Sequence, residues 1–182
     1  MLDFIEVIPN VVSKDDCKAI VKAMDEKVNN SPDDDNALRI DKDGKRDDIS
    51  IFPKRFQSLN FAVEIIEEAL LSNPSKYKPT TKKHLHEAWK LQRSSSGGGF
   101  TDWHTEQGQS KNVDVMTRFM VWMIYLNDVN KGGKTEFKYQ KKALKPVAGT
   151  LVLWPAGYTH VHRAAPDLKE NKYIATGWYN FS

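Results

Sequence analysis

Apolar residues recur along this chain with two periods, and the change between them comes near the middle. Met1 to Ile8 alternates loosely between apolar and polar residues and predicts a strand. From about residue 14 to 29 the period lengthens. Cys17, Ile20, Val21, Met24 and Val28 fall at helical spacing and give an amphipathic helix. Ser13 supplies an N-cap oxygen ahead of it, with Asp16 three positions on as a short-armed capping box. Between Asn29 and Asp48 the composition turns to Asp, Asn, Lys, Pro and Gly, which predicts a solvated loop and a candidate lid. Ile49 to Phe52 predicts a short strand. Pro53 is harmless in a first helical turn, and Phe56, Leu59, Ala62, Val63, Ile66, Ala69 and Leu70 keep the helical period to Leu71. Asn73-Pro74 stops that second helix.

After Pro79 the pattern becomes that of strands. His84 to Arg93, Asp114 to Leu126, Thr135 to Tyr139, Thr150 to Trp154, His160 to Arg163 and Lys172 to Phe181 are rich in β-branched and aromatic residues. Turn signals separate them at Ser94–Gly99, Asn127–Gly133, Pro146–Gly149 and Pro155–Gly157. Helices first and then many closely spaced strands predict an α+β, mainly β fold, with a helical layer on a β-sandwich or barrel. No helix-length segment separates the later strands, which excludes a parallel βαβ protein.

Composition narrows the function classes more than it names one. A chain of 182 residues fits one compact domain, with residues 1–80 as helical support and 81–182 as β core. Hydrophobic residues are 40% and charged residues 28%, and the net charge is +3 with both signs interspersed. That is a folded chain without the concentrated basic surface of a nucleic-acid binder or a polybasic membrane anchor. Cys17 is the only cysteine, so neither an intramolecular disulfide nor a thiolate metal cluster is available. The opening MLDFIEVIPN lacks signal-peptide character, and no segment has the run of about 20 apolar residues that spans a bilayer. The expectation is a cytoplasmic protein, monomeric or weakly dimeric, with no nucleic-acid or membrane partner.

Candidate chemistry begins at His104-Thr105-Glu106. On an extended segment, positions i and i+2 face the same way, so an imidazole and a carboxylate can reach one ion. His160-Val161-His162 in a later strand offers the third ligand, and the two histidines share a face there. Two histidines and a carboxylate leave coordination positions open, as a non-haem Fe(II) oxygenase requires. The same donors suit zinc, which keeps a Zn-dependent hydrolase or a cupin-type metal protein as the alternative reading. A jelly-roll binding module that has lost its metal is a further rival, and the intact donor set argues against it.

The order of short motifs is more specific than any one of them. Gly97-Gly98-Gly99-Phe100 precedes His104-Thr105-Glu106; Tyr125-Leu126-Asn127, Gly132-Gly133-Lys134-Thr135-Glu136-Phe137 and Pro146-Val147-Ala148-Gly149 follow. Then come Trp154-Pro155-Ala156-Gly157, His162-Arg163-Ala164-Ala165-Pro166, Lys172 and Trp178. In this order, the stretch from Lys90 to the C-terminus resembles the prolyl 4-hydroxylase-type 2-oxoglutarate/Fe(II) dioxygenases, and in particular their small, phage-like members. The chain departs from the pattern at Glu106, where most members carry Asp; the longer side chain still delivers a hard oxygen ligand.

The resemblance implies a double-stranded β-helix (jelly roll) with the N-terminal helices packed on its major sheet. It implies His104, Glu106 and His162 as catalytic metal ligands, since Pro166 and Lys172 stand in the family's relation to His162 and not to His160. His160 is then a hydrogen-bonded strand histidine, or orients substrate from the same face. Fe(II), 2-oxoglutarate and O₂ are the implied cofactors, with ascorbate supporting activity. The far carboxylate of 2-oxoglutarate needs a buried cation. Lys172 is the candidate, with Tyr125 donating a hydrogen bond and Thr176 adding a hydroxyl. Trp178 is expected as a wall of the pocket, Met123 as filler, and Gln92 as a contact to co-substrate or substrate. Arg163 should face away on its strand, and Trp103 and Trp122 serve as packing or rim. His84 and His86 are expected to be solvated. The implied reaction hydroxylates an unactivated C–H bond, most simply of a peptidyl proline, while 2-oxoglutarate becomes succinate and CO₂. The substrate is thus a peptide or protein, with a free small amino acid as the alternative.

Overall fold

A computed structural model describes residues 2–30, 38–42, 46–77, 83–85, 88–107 and 113–181. The chain opens with β1 (Glu6–Ile8) and α1 (Lys14–Asn30), followed by the hairpin strands β2 (Leu38–Lys42) and β3 (Arg46–Ile51). Two 3₁₀ turns, Pro53–Arg55 and Gln57–Leu59, lead into α2 (Asn60–Ser72). Then come β4 (Lys83–Leu85), β5 (Lys90–Ser94), β6 (Gly99–Phe100), a single helical turn α3 (Val113–Met116) and β7 (Arg118–Tyr125). The rest is β8 (Thr135–Phe137), β9 (Lys142–Leu144), β10 (Leu151–Pro155), a 3₁₀ turn Tyr158–His160, β11 (His162–Ala164) and β12 (Lys172–Phe181). No helix among the described residues is long and apolar enough to cross a membrane.

The strands form two antiparallel sheets. The larger runs β1-β10-β7-β12-β5-β3-β2, with β4 also on β12 and β6 also on β3; the smaller runs β11-β8-β9. Strands from the N-terminal part therefore sit at both ends of the large sheet. Alternation divides its two faces cleanly. Trp122 and Ile124 of β7, Leu151 and Leu153 of β10, Leu91 of β5 and Ala175 of β12 form one buried cluster with Cys17, Ile20 and Met24 of α1 and Ala62, Ile66 and Leu70 of α2. The intervening residues Val121, Met123 and Tyr125 of β7 and Val152 and Trp154 of β10 cluster instead with Phe137 of the small sheet.

The helices follow the expected spacing, with one refinement at each start. Ser13 Oγ accepts from the Asp16 backbone N–H at 3.0 Å, and the Ser13 hydroxyl donates to Asp16 Oδ2 at 2.6 Å. Asp16 thus bonds the capping hydroxyl rather than reaching back to the Ser13 N–H. Pro53 opens a 3₁₀ turn instead of the helix itself, and Phe56 adopts an extended φ of −127°, so the α-helix starts only at Asn60.

Several strand expectations need correction. The span from Asn29 to Asp48, expected as a loop, contains β2 and the first half of β3, whose second half is the strand expected from Ile49; residues 31–37 and 43–45 lie outside the described residues. Its polar residues had hidden an antiparallel ladder held by the sheet edge of β5. The strand expected from Asp114 begins at Arg118, because Val113–Met116 form a helical turn. The stretch expected as one strand from His84 to Arg93 is two, β4 and β5, and His86 lies outside the described residues. His160 is not on a strand but closes a 3₁₀ turn, leaving only His162 to Ala164 paired.

Candidate metal centre and its cavity

The first two histidines meet because their backbones do. His104 N–H donates to His162 O at 3.0 Å and His162 N–H donates to His104 O at 2.9 Å, an isolated antiparallel bridge. Directly opposed residues point to the same side, so both imidazoles emerge together. Gly99 makes this approach feasible. Its φ is +103°, and a Cβ there would stand 3.0 Å from Ala164 Cβ on β11. Glu106, two residues on, is anchored by its N–H to Ala156 O at 3.1 Å and faces the same way.

Side-chain geometry completes the cluster. Glu106 Oε1 lies 3.7 Å from His104 Nε2 and 3.5 Å from His162 Nε2, and one donor atom from each residue falls within 4.8 Å of the others. His104 Nδ1 is 2.9 Å from Asp102 O and His162 Nδ1 is 2.9 Å from His160 O. A carbonyl only accepts, so each Nδ1 carries a proton and each Nε2 turns to the shared point, where it favours the Glu106 carboxylate when protonated and offers a lone pair to an ion when not. The other carboxylate oxygen, Glu106 Oε2, accepts from Trp178 Nε1 at 3.0 Å, with Arg118 3.6 Å away. Burial pushes the Glu106 carboxyl up, and the two imidazoles more than offset it, holding it well below the usual carboxylate range. Two imidazole nitrogens and one charged oxygen with open space beside them fit a divalent first-row metal ion.

That space is a cavity of about 470 Å³ between the two sheets. Lys172, Thr176, Trp178, Gln92, Met123 and Thr135 are among its walls, as alternation on β5, β7 and β12 requires. Lys172 is 6% exposed; its ammonium donates to Gly133 O at 2.8 Å and lies 3.5 Å from Thr135 Oγ1. Burial lowers its pKa to about 8. The paired glycines shape this end. Gly132 has φ +78°, and a Cβ there would stand 2.0 Å from Asp167 O, so only glycine lets the chain turn and aim the Gly133 carbonyl at the ammonium.

The expected residues divide as follows. Tyr125 is 1% exposed, and its hydroxyl donates to Thr135 Oγ1 at 2.8 Å; among the described residues, Thr135 lines the cavity and Tyr125 does not. Burial raises the Tyr125 phenol far above its ordinary value, so it stays a donor. The Thr176 hydroxyl donates to Trp122 O at 3.0 Å. His160 does not share the face of His162. Its Nε2 donates to Asp3 O at 2.8 Å and its Nδ1 accepts from Thr159 Oγ1 at 2.9 Å, while burial lowers its pKa. The 3₁₀ turn is the reason, since it breaks the two-residue alternation before β11. Arg163, expected to face away, both lines the cavity and pairs with Glu136 at 2.8 Å, its guanidinium 4.3 Å above the Trp103 ring. Trp122 is core and Trp103 is a 39%-exposed rim residue.

Among the wall residues that the sequence did not single out are Thr135 and Arg118. Thr135 stood in the quoted Gly-Gly-Lys-Thr motif and was the available signal. Arg118 lines the cavity from the start of β7, where a register shift opposite Tyr179 and Asn180 breaks the alternation that would have turned it away. Its guanidinium stacks 3.5 Å from the Trp178 ring centre.

The model of the 2OG-Fe(II) oxygenase superfamily matches residues 89–180, half of the chain and the part that carries His104, Glu106 and His162. The chain belongs to this superfamily. Its similarity to curated members is local. It is 31% identical over 105 residues to prolyl 4-hydroxylase subunit alpha-1 of Gallus gallus, covering 50% of this chain and 20% of that protein. The human subunit matches at 31% over 75 residues, 37% of this chain and 14% of that one. This superfamily member thus spans about a fifth or less of the length of those relatives. Solved structures share its fold over nearly its whole length. A viral collagen prolyl hydroxylase from Paramecium bursaria Chlorella virus-1, solved as its 2OG complex, covers 98% of this chain and 97% of its own at a TM-score of 0.66 and 18% identity. A Trichoplax adhaerens prolyl hydroxylase in complex with a hypoxia inducible factor peptide fragment covers 98% and 84% at 0.76 and 14% identity. A Pseudomonas putida prolyl-4-hydroxylase covers 98% and 93% at 0.69 and 15% identity.

Proposed function

We propose that this protein is a single-domain Fe(II)- and 2-oxoglutarate-dependent dioxygenase that hydroxylates a C–H bond of a peptidyl proline. The observation that carries the reading is one cavity holding both His104, Glu106 and His162 and the buried ammonium of Lys172. The two sheets enclosing it are those of a double-stranded β-helix, with α1 and α2 backing the larger one.

In this reading His104 and His162 ligate through Nε2, and their Nδ1–H bonds to backbone carbonyls keep those lone pairs oriented. Trp178 and Arg118 occupy Glu106 Oε2, which leaves Oε1 for the ion. Iron(II) bound there supplies the centre at which O₂ is reduced. One oxygen atom enters succinate as CO₂ leaves 2-oxoglutarate, and the other becomes the hydroxyl of the substrate, so co-substrate and C–H bond each provide two electrons. Lys172 neutralises the far carboxylate of 2-oxoglutarate. Tyr125 backs it through Thr135: because Thr135 Oγ1 accepts the hydrogen bond of the phenol, the Thr135 hydroxyl turns its own O–H to the cavity. Thr176 shapes the wall beside them. The solved relatives named for prolyl hydroxylation, one of them holding a peptide, support an extended peptide substrate at the cavity mouth.

Anaerobic titration with Fe(II) and then 2-oxoglutarate tests the reading directly. The expected result is a weak visible charge-transfer band that appears only with both present, and succinate formation once O₂ is admitted. Tight metal binding with no band and no succinate would favour the zinc-type hydrolase instead.

A further inference from the structure

Gln92 is the largest polar side chain of the inner cavity wall that, among the described residues, has no hydrogen-bond partner. It sits mid-strand in β5, paired with Ile174 of β12 on one side and Ser50 of β3 on the other, so its backbone is held from both edges. It is 7% exposed, and what surface it has faces the cavity. Among the described residues its amide has no hydrogen-bond partner. Its neighbours on the strand, Leu91 and Arg93, point to the opposite face, where Arg93 pairs with Asp25 at 2.7 Å. Gln92 therefore turns to the cavity and not to the surface acid that Arg93 meets.

The hydrogen-bond inventory around it states what kind of partner is missing. Ser94, directly opposite Lys172, is 8% exposed, lines the cavity and likewise has no side-chain partner among the described residues. Lys172 stands one diagonal step from Gln92 across the β5–β12 ladder, a separation of about 7 Å between Cβ atoms. This end of the cavity thus offers an ammonium, an amide N–H₂, and the hydroxyls of Ser94 and Thr135, against one backbone acceptor, Gly133 O, already used by Lys172. A surplus of buried donors converging on one space is complementary to an anion with several acceptor oxygens.

We infer that Gln92 is a further co-substrate-binding residue, its Nε2–H₂ donating to a carboxylate oxygen of bound 2-oxoglutarate beside Lys172. The inference rests on the dioxygenase reading above and assigns to it a contact specific to this chain's β5. A ligand-directed amide has a signature that a structural one lacks. Replacing an unpartnered buried amide by a hydrocarbon of similar size removes an unsatisfied group, so the free protein keeps or gains stability while the ligand loses a bond.

The test is calorimetric titration of 2-oxoglutarate into anaerobic Fe(II)-loaded protein, alongside thermal melting of the metal-free and ligand-free forms. Wild type should bind 2-oxoglutarate, Gln92→Leu should bind it about tenfold more weakly or worse, as expected for a lost hydrogen bond to a charged group, and its ligand-free melting temperature should be equal or higher. Gln92→Glu, the same size but a like charge without a donor, should weaken binding further. Wild type that fails to bind 2-oxoglutarate would overturn the dioxygenase reading itself. Wild type that binds while Gln92→Leu and Gln92→Glu bind equally well would overturn only the role of Gln92. A Gln92→Leu protein that melts lower and binds normally would mark the amide as structural and also overturn it.

Discussion

The two faces of the large sheet are written on the same strands and differ in almost everything else. On the helix side, Trp122, Ile124, Leu151, Leu153 and Ala175 are sealed under α1 and α2, and each is at most 1% exposed. On the cavity side, the residues between them include Lys172, Thr176, Trp178 and Gln92 around an open space. The first face gains its stability from area removed from water. The second holds a buried ammonium, an orphan amide and a carboxylate between two imidazoles, each costly unless something binds there. Stability and function are thus separated by one residue's step along each strand, and substitutions on the two faces should fail in different ways.

The sharpest contrast lies at the metal cluster. His162→Ala should abolish Fe(II) binding and lower activity by roughly a thousandfold or more, since even partners of a metal ligand are worth 10–100-fold. His160→Ala, two residues away, should leave metal affinity intact and cost about 1–3 kcal/mol of stability by orphaning the Asp3 carbonyl and the Thr159 hydroxyl. Iron retention after gel filtration and urea denaturation separate the two; reversal of the pattern would reassign the ligand. On the helix face, Trp122→Ala should cost about 3–5 kcal/mol while the protein that remains folded binds Fe(II) normally. A loss of iron affinity in that folded fraction would mean the faces are not independent.

How far this division could be read from the sequence differs between the faces. The helix face was legible, because Cys17, Ile20, Met24, Ala62 and Ile66 repeat at helical spacing and Trp122 and Ile124 alternate on β7. That His104, Glu106 and His162 come together was legible through HxE spacing and motif order. What escaped depends on backbone events that leave no periodic trace: the 3₁₀ turn that swings His160 toward Asp3, and the register shift that turns Arg118 into the cavity. β2 and the start of β3 escaped because the apolar alternation there is only Leu38 and Ile40, set among charged residues and turn formers. Tyr125 was found by motif, but its bond to Thr135 is a tertiary fact that no spacing reveals.

Lys172→Met should weaken 2-oxoglutarate binding by about 100-fold, the loss expected for a charge-assisted contact, and leave Fe(II) affinity unchanged. It should not destabilise the ligand-free protein, because the methionine removes a desolvated charge and keeps the volume. Calorimetric 2-oxoglutarate affinity and a denaturation curve report both quantities on one preparation. A variant that keeps full co-substrate affinity would detach Lys172 from the anion site and leave the cavity face without its main cation.

The smallest effect is also the most specific, because it has opposite signs in two measurements. Burial brings Lys172 from its ordinary 10.5 down to about 8 in the folded protein. Between those two values the unfolded chain holds more protons than the folded one, so folding stability contributed by this group rises as pH climbs from about 8 to 10.5. The gain is at most about 1.4 kcal/mol per pH unit, roughly 3 kcal/mol across the window. Binding of 2-oxoglutarate runs the other way. Below pH 8 the ammonium is present and affinity should be level; above it the ligand must restore the lost proton, and affinity should fall by up to about tenfold per pH unit. Other lysines and tyrosines titrate in the same range, so the comparison is made against Lys172→Met, in which both slopes attributable to this group vanish. If 2-oxoglutarate affinity of the unaltered protein stays level through that window, the charge on Lys172 is not what holds the anion, and the polar donors beside it must carry the co-substrate without it.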